Sequence, residues 1–343
     1  MRVAFRHGRN ALIAVLGSGL MLAMPPAQAT EGFDPARNAE ARALVDELAA
    51  QGIERAWLVS AMREAEYQQG VLDAMSGAVE HHLRWDEYRD IFIQPGRVEA
   101  GAAFIDEYRD AFARAKADYG VDPAVIAAII GVETYYGRYT GDHRVIDSLA
   151  TLAFYHPSRG DFFRGELAAF LEITRKQGVD PLTLQGSYAG AMGYPQFIPT
   201  SYRAYAVDFD ADGIRDLWHN PVDAIGSVAN YLARHGWVAD ATLVTDAQGP
   251  QASPDDIDFN RTQKPYVSVA TLAESGIEPV ASSPLDGATQ VIPLALDFAN
   301  GETRYKLGHN NFYVITRYNH SHLYAMAVTT LAERIRNAME DEV

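Results

Sequence analysis

The sequence predicts a mainly α-helical (α+β) fold that carries one small β insertion. Three observations lead there. Residues 35–118 keep a helical spacing of apolar side chains. A helix of unusual apolarity follows at 121–137. From about residue 239 the pattern changes to short strand-like runs between Pro, Gly and Asp clusters, before a last helix closes the chain.

The elements follow in order. Arg2, Arg6 and Arg9 precede an apolar stretch over 11–24, and Ala27-Gln28-Ala29 has the small residues of a cleavage site. Residues 1–29 are therefore expected to be a signal peptide cut after Ala29. The apolar run is short for a membrane span and meets Pro25 and Pro26 at once. Helices are predicted over 35–51, 54–68, 70–88 and 99–118, the last with Phe104, Tyr108, Phe112 and Ala115 on one side. Further helices are predicted over 146–154, 164–176 and 223–235. Strands are predicted over 243–245, 266–269, 290–296 and 312–316, and a final helix over 321–339. The expected organisation is an N-terminal helical region over 30–95, a catalytic core over 96–238, a small β domain over 239–316 and a C-terminal helix over 317–343 that returns to the core.

Composition narrows the function. The chain has no cysteine, which excludes disulfides, a thiol nucleophile and a lipid-modified N-terminal cysteine. The net charge of −16 becomes about −19 without the three signal arginines, which disfavours nucleic acid as a partner. An exported, soluble protein of the bacterial periplasm is the expected setting.

Glu133 is the residue on which the chemistry turns. Asp122 suits the N-cap of its helix, Pro123 the first position, and Gly137 can end it. Ile126, Ile129, Ile130 and Glu133 share one face by their i, i+3, i+4, i+7 spacing. A carboxyl there loses hydration and lies near a helix C-terminus, and both effects keep it protonated. A neutral carboxylic acid is what glycosidic-bond cleavage needs for its leaving group. The competing reading is a structural ion pair with the nearby Arg138.

Two further stretches stand out. Residues 186–202 combine glycines, aromatics and amides, suited to close approach and stacking against a sugar, or else a tight loop with a packed interior. Asp208, Asp210, Asp212 and Gly213 occupy positions 1, 3, 5 and 6 of an EF-hand-type loop, with Ile214 at position 7 for its carbonyl. Position 12 is His219, where such loops have Glu. The bland alternative is an Asp-rich surface turn. The pairs and singles among His81, His82, His309, His320 and His322 lack zinc-site spacing.

The motif Gly131-Val-Glu-Thr-Tyr-Tyr-Gly137, followed by Gly190-Ala-Met-Gly-Tyr-Pro-Gln-Phe-Ile-Pro-Thr-Ser201, closely resembles the membrane-bound lytic transglycosylase B family, glycoside hydrolase family 103. The resemblance continues through 221–231 and 314–319. It implies a lysozyme-like helical core with an added helical domain and a small β domain. It also implies cleavage of the β-1,4 bond between N-acetylmuramic acid and N-acetylglucosamine in peptidoglycan, leaving a 1,6-anhydro ring. By the same resemblance Glu133 is the single acid/base, Ser187 helps place the muramoyl group, and Gln196 and Phe197 line the glycan groove. Tyr231, Tyr318, Asn319 and Tyr324 match further groove residues, and Tyr88 another aromatic near the site. Asp223 matches the residue that closes a lengthened calcium loop. A structural Ca2+ is expected and no organic cofactor. Glycan strands are the expected partner of a monomer, with cell-wall enzyme complexes as further partners. Three other readings compete: a muramidase that uses water, a silent peptidoglycan-binding protein, and a calcium-responsive scaffold.

Overall fold

A computed structural model describes residues 32–77 and 83–341. The expected signal peptide and the His81-His82 pair lie outside the described residues. The chain from Gly32 onward forms one compact unit.

Four helices come first: α1 (Ala39–Ala50), α2 (Arg55–Glu64), α3 (Gln69–Gly77) and α4 (Trp85–Phe92). Asn38 caps α1, its side chain accepting the amides of Glu40 and Ala41 at 3.0 Å each. The helix expected over 54–68 stops at Glu64 for a tertiary reason. The Glu66 amide donates to Asp147 Oδ1 at 2.9 Å and the Gln68 amide to Thr151 Oγ1 at 3.0 Å. Those bonds replace the helical ones that the segment would otherwise need. The helix expected over 70–88 is divided, since α4 starts afresh at Trp85, with the Glu87 side chain taking the Arg84 amide at 3.0 Å. The segment 99–118 also divides, into α5 (Pro95–Glu107) and α6 (Arg109–Tyr119). Tyr108 leaves helical geometry at φ −109°, ψ 32°, while its ring stays on Phe104, 5.0 Å between centroids.

The central element is α7 (Pro123–Thr134). Asp122 caps it through a 2.7 Å bond to the Ala124 amide, and Pro123 occupies its first turn, as the sequence predicts. Every residue from Ala124 to Val132 is buried. The helix is enclosed by α5, α6, α11 (Pro221–Arg234) and α14 (His322–Asp341). Between α7 and α11 run β1 (His143–Arg144), α8 (Val145–Tyr155), α9 (Gly160–Gln177), β2 (Gln185–Gly186) and α10 (Pro199–Tyr205), which starts inside the stretch that the sequence presents as loop. The main hydrophobic core runs without a break from Phe33 and Leu44 through Ile129 and Ile130 to Ile335.

The β region contains β3 (Val244–Gln248), β4 (Val267–Ser268), α12 (Val269–Glu274), β5 (Glu278–Pro279), β6 (Gln290–Asp297) and β7 (Thr303–Gly308), then α13 (Asn310–Tyr318). The strands form an antiparallel sheet in the order β4-β6-β7-β3-β5. Central β6 is buried on both faces. Ile292, Leu294 and Leu296 join the helical core, while Val291 and Ala295 meet α12 in a second, smaller core. That explains its nearly continuous apolar sequence.

The strand expected over 312–316 is instead part of α13. Phe312, Ile315 and Thr316 are buried at helical spacing, and the Asn311 side chain is bonded to both Val238 backbone groups at 2.9 and 2.7 Å. Tertiary packing overrides the β-branched and aromatic composition. The longest strand not predicted is β7, whose Arg304 and Lys306 disguise the inward Tyr305 and Leu307; the two-residue β1, β2 and β5 are not predicted either.

Helices α5 and α7 pack through the ring of Tyr136. A Cβ on Gly131 would lie 2.5 Å from its hydroxyl and 2.7 Å from Cζ. Gly131→Ala is therefore expected to destabilise the fold by about 1–3 kcal/mol, read from denaturant midpoints. A neutral result would mean that the Tyr136 ring can move aside.

Candidate functional site

Glu133 occupies the last turn of α7, half-buried among otherwise buried neighbours. The helix ends one turn earlier than Gly137. Tyr135 is its C-cap with φ 51°, Tyr136 follows with φ 59°, and Gly137 with φ 85°. Two consecutive tyrosines in the left-handed region are strained, at about 1–2 kcal/mol each. Thr134 holds the turn: its hydroxyl donates to the Tyr194 carbonyl at 3.0 Å and accepts the Gly137 amide at 3.0 Å. The Tyr194 ring covers Gly137 so closely that no Cβ fits there. The helix end is thus fastened to the glycine-rich loop.

The Glu133 carboxyl has one hydrogen-bond partner among the described residues. The Tyr324 hydroxyl on α14 donates to its Oε1 at 2.7 Å. Burial raises the Glu133 pKa to about 7, and the Tyr324 bond partly opposes that rise. The two effects act in opposite directions, and burial is the larger. Burial, and then the Glu133 charge, push Tyr88 up to about 12. The same causes hold Tyr318 and Tyr324 well above the usual phenol range. All three phenols are therefore neutral donors at physiological pH. The ion pair with Arg138 is absent: its guanidinium sits over the Tyr135 ring at 4.7 Å.

The loop wall is built on α11 and α13. Tyr318 donates its hydroxyl to the Pro195 carbonyl at 2.6 Å, and Tyr231 donates to the Arg317 carbonyl at 2.5 Å. Tyr318 lies nearly parallel to Tyr324, 6.4 Å between centroids and 10° between planes. Phe197 is buried behind Tyr231 and Tyr318, at 5.6 and 5.8 Å, so it supports that wall and exposes little face to a ligand. Gln196 adopts φ 49° and its amide nitrogen donates to the carbonyls of Thr140 and Gly193 at 3.1 and 2.9 Å. Its amide oxygen remains as an acceptor. Ser187 Oγ accepts the amides of Ala189 and Ala191 at 3.2 and 3.0 Å, which leaves its hydroxyl proton to donate. Asn319 is exposed at the C-terminus of α13. The sequence does not single out Tyr194, Thr134 or the Pro195 carbonyl. The motif contains all three, but nothing in spacing joins residues 134 and 194.

The acidic loop gathers Asp208, Asp210 and Asp212, whose carboxylate oxygens lie within 4.8 Å of one another. Asp208 accepts the Gly213 amide at 2.9 Å and Asp212 the Ile214 amide at 2.8 Å, curling the loop around its acids. An all-oxygen donor set of this kind suits a hard divalent cation. Asp223 is not in that cluster. It is fully buried, and its two oxygens take the amides of Phe209 and Asp216 at 2.6 and 2.8 Å. It closes the loop by hydrogen bonds to its backbone. His309 bonds Thr245 at 2.8 Å and, with His320 and His322, belongs to no metal cluster among the described residues.

Residues 36–333 match the transglycosylase SLT domain family. The chain is 43% identical over 314 residues to membrane-bound lytic murein transglycosylase B of Escherichia coli K12, covering 89% of this chain and 84% of that protein. Its fold is similar to the E. coli lytic transglycosylase Slt35 solved in complex with calcium, with TM-score 0.82 and 43% identity over 90% of this chain and 96% of that one. SltB3 from Pseudomonas aeruginosa, solved with NAG-NAM-pentapeptide, gives TM-score 0.75 and 32% identity over 89% and 80%. The predicted helical, lysozyme-like architecture holds, and the chain belongs to the SLT-domain lytic transglycosylases.

Proposed function

We propose that this chain is a peptidoglycan lytic transglycosylase in which Glu133 alone serves as acid and then base. One observation carries the reading. A carboxyl with a pKa near 7 sits among neutral phenols, and no second carboxylate acts on it among the described residues. A retaining hydrolase needs a second carboxylate as nucleophile, and an inverting one needs a base for water. With one carboxyl, the substrate supplies the nucleophile.

Protonated Glu133 gives its proton to the glycosidic oxygen, and the bond to C1 breaks. The muramoyl acetamido oxygen stabilises the positive charge that develops at C1. The ionised Glu133 then takes the proton of the C6 hydroxyl, whose oxygen attacks C1 and closes the anhydro ring. Intramolecular attack has a large effective-molarity advantage over water. The proton count balances: the acid that starts the cycle is restored at its end. Tyr324 stabilises the carboxylate between the two steps through its hydrogen bond, a role for a neutral donor.

The remaining groups position the glycan. Ser187 offers a hydroxyl proton to the muramoyl group and Gln196 an amide oxygen. Tyr88, Tyr231, Tyr318 and Asn319 shape the groove, with Phe197 behind them. Asp208, Asp210 and Asp212, with the Ile214 carbonyl, hold a structural Ca2+, and Asp223 orders their loop from within. The relative solved with calcium and the oxygen-only cluster support this. Such a cation would offset the repulsion among three clustered carboxylates. An exported location is consistent with the basic and apolar pattern of residues 1–29. Among the described residues no helix is long and apolar enough to cross a membrane.

Glu133→Gln is expected to lower kcat by about 10²–10⁴-fold while preserving glycan binding. Mass spectrometry of products from purified peptidoglycan should show 1,6-anhydro ends only with the parent chain. Reducing ends instead would establish a water-using muramidase, and full activity of the variant would remove Glu133 from the chemistry.

The same substitution has a stability signature. Because the folded pKa is raised from 4.5 to about 7, the folded state holds its proton through that window while the unfolded state loses it. Stability contributed by the neutral form is complete below pH 4.5 and falls as pH rises to about 7. The cost of the buried charge is on the order of 3 kcal/mol above pH 7. Glu133→Gln should thus melt close to the parent at pH 4 and above it at pH 8. Equal differences at both pH values would show that the carboxyl is not shifted.

Calcium should raise the melting temperature, with about 2.7 kcal/mol at a hundredfold excess over its Kd. Asp210→Asn should diminish that gain. An unchanged melting curve in chelator and in calcium would argue against the ion.

A further inference from the structure

A second ligand-contacting surface extends outward from the Glu133 turn, and none of the groove residues above belongs to it except Tyr88 at its inner end. Tyr88 touches Glu133 electrostatically and packs on Phe92, 5.1 Å between centroids. Arg97 lies 5.3 Å from the Phe92 ring and 4.8 Å from the Tyr135 ring. Arg138 lies 4.7 Å from that same Tyr135 ring. Tyr139 continues the row, 6.2 Å from Tyr135, and is 73% exposed. Aromatic rings and guanidinium groups thus alternate from the carboxyl to the surface.

The row carries guanidinium groups without a carboxylate partner. Several described arginines pair with Asp or Glu, whereas neither Arg97 nor Arg138 forms an ion pair among the described residues. The titratable groups that face Arg97 are the phenols of Tyr136, Tyr135 and Tyr139, with no carboxylate among them. Its Nε is buried and has no hydrogen-bond partner, and one terminal nitrogen donates to the Ile91 carbonyl at 3.1 Å. Both guanidinium groups lie against the Tyr135 ring, and neither has a carboxylate partner among the described residues. An unpaired guanidinium gains charge-assisted hydrogen bonds when a carboxylate arrives.

We infer that Arg97 and Arg138, with Tyr135 and Tyr139, form a subsite for the carboxylates of the peptide carried by the muramoyl sugar. This rests on the peptidoglycan reading and deepens it, since an acidic peptide is the anionic part of that substrate. The Arg138 fork and the remaining terminal nitrogen of Arg97 bind carboxylate oxygens, and the tyrosine faces cover the aliphatic side chains between them. Its position beside Tyr88 puts the subsite within reach of a sugar bound at Glu133. The surface selects peptide-bearing strands over bare ones.

The test compares binding of two ligands to the full mature chain carrying Glu133→Gln, so that neither is consumed. One ligand is a short glycan strand with intact peptides, the other the same strand after an amidase has removed them. Arg138→Gln alters an exposed side chain and should leave the melting temperature unchanged. It should raise Kd for the peptide-bearing strand about tenfold and leave the bare strand within about twofold. Arg138→Lys should recover part of the loss, because it keeps the charge and loses the fork. The preference for peptide-bearing strands should shrink as salt is raised. Equal weakening for both strands, or no weakening for either, would overturn the subsite. Failure of the parent chain to release anhydro products would overturn the enzymatic reading instead, and the binding comparison would still decide this one.

Discussion

The contact between the Glu133 carboxyl and the Tyr324 hydroxyl is the constraint around which the rest is arranged. It joins the end of α7 to the start of α14, two elements 191 residues apart in sequence. For the bond to exist, α7 must be buried along its length and α14 must return to lie against it. The long excursion through the β region is compatible with that return because central β6 is buried on both faces. The sheet is thereby welded to the helical core by Ile292, Leu294 and Leu296, and α13 and α14 start from a fixed place.

The site is built from burial and neutral donors, and not from ion pairs. Around Glu133 stand Tyr88, Tyr318 and Tyr324, each of which burial keeps protonated. An arginine at this place would hold the carboxyl ionised and remove the acid. The nearby guanidinium groups are instead turned onto the Tyr135 ring. The strained turn at Tyr135 and Tyr136 carries Arg138 away from the carboxyl immediately after α7 ends, while Arg97 reaches the same ring from α5. Local strain is thus tied to the chemistry, and the Thr134 bonds to Tyr194 and Gly137 over-determine the strained conformation.

Much of this was legible in the sequence, and the gaps have physical causes. The cap and first turn of α7 were readable because Asp122 and Pro123 act locally. The apolar face that carries Glu133 was readable from its period. Helix ends set by distant partners were not: residues 66–68 leave helical geometry for Asp147 and Thr151, more than 80 residues away. The 312–316 segment has strand composition, yet its environment is helical, and β7 hides its inward residues behind Arg304 and Lys306. In the acidic loop the 1, 3, 5 spacing identified three acids that do converge, whereas the place of Asp223 depends on burial that no spacing encodes. The family resemblance supplied Tyr324 as a site residue, but only the fold shows that its hydroxyl meets the carboxyl.

A pKa set by burial differs in kind from one set by neighbouring charges. Salt screens charge–charge interactions in and near water, but it does not restore hydration to a packed carboxyl. On the proposed reading the acid form of Glu133 therefore persists across ionic strengths. Charge recognition can then be confined to the exposed outer end of the aromatic row. In the order of contacts Arg97 lies between Phe92 and Tyr135 and Arg138 lies beyond Tyr135, so both stand outside the Tyr88 ring that neighbours Glu133. Separation of a half-buried, neutral reaction site from an exposed, charged recognition surface places both beside one short segment, from Glu133 to Tyr139.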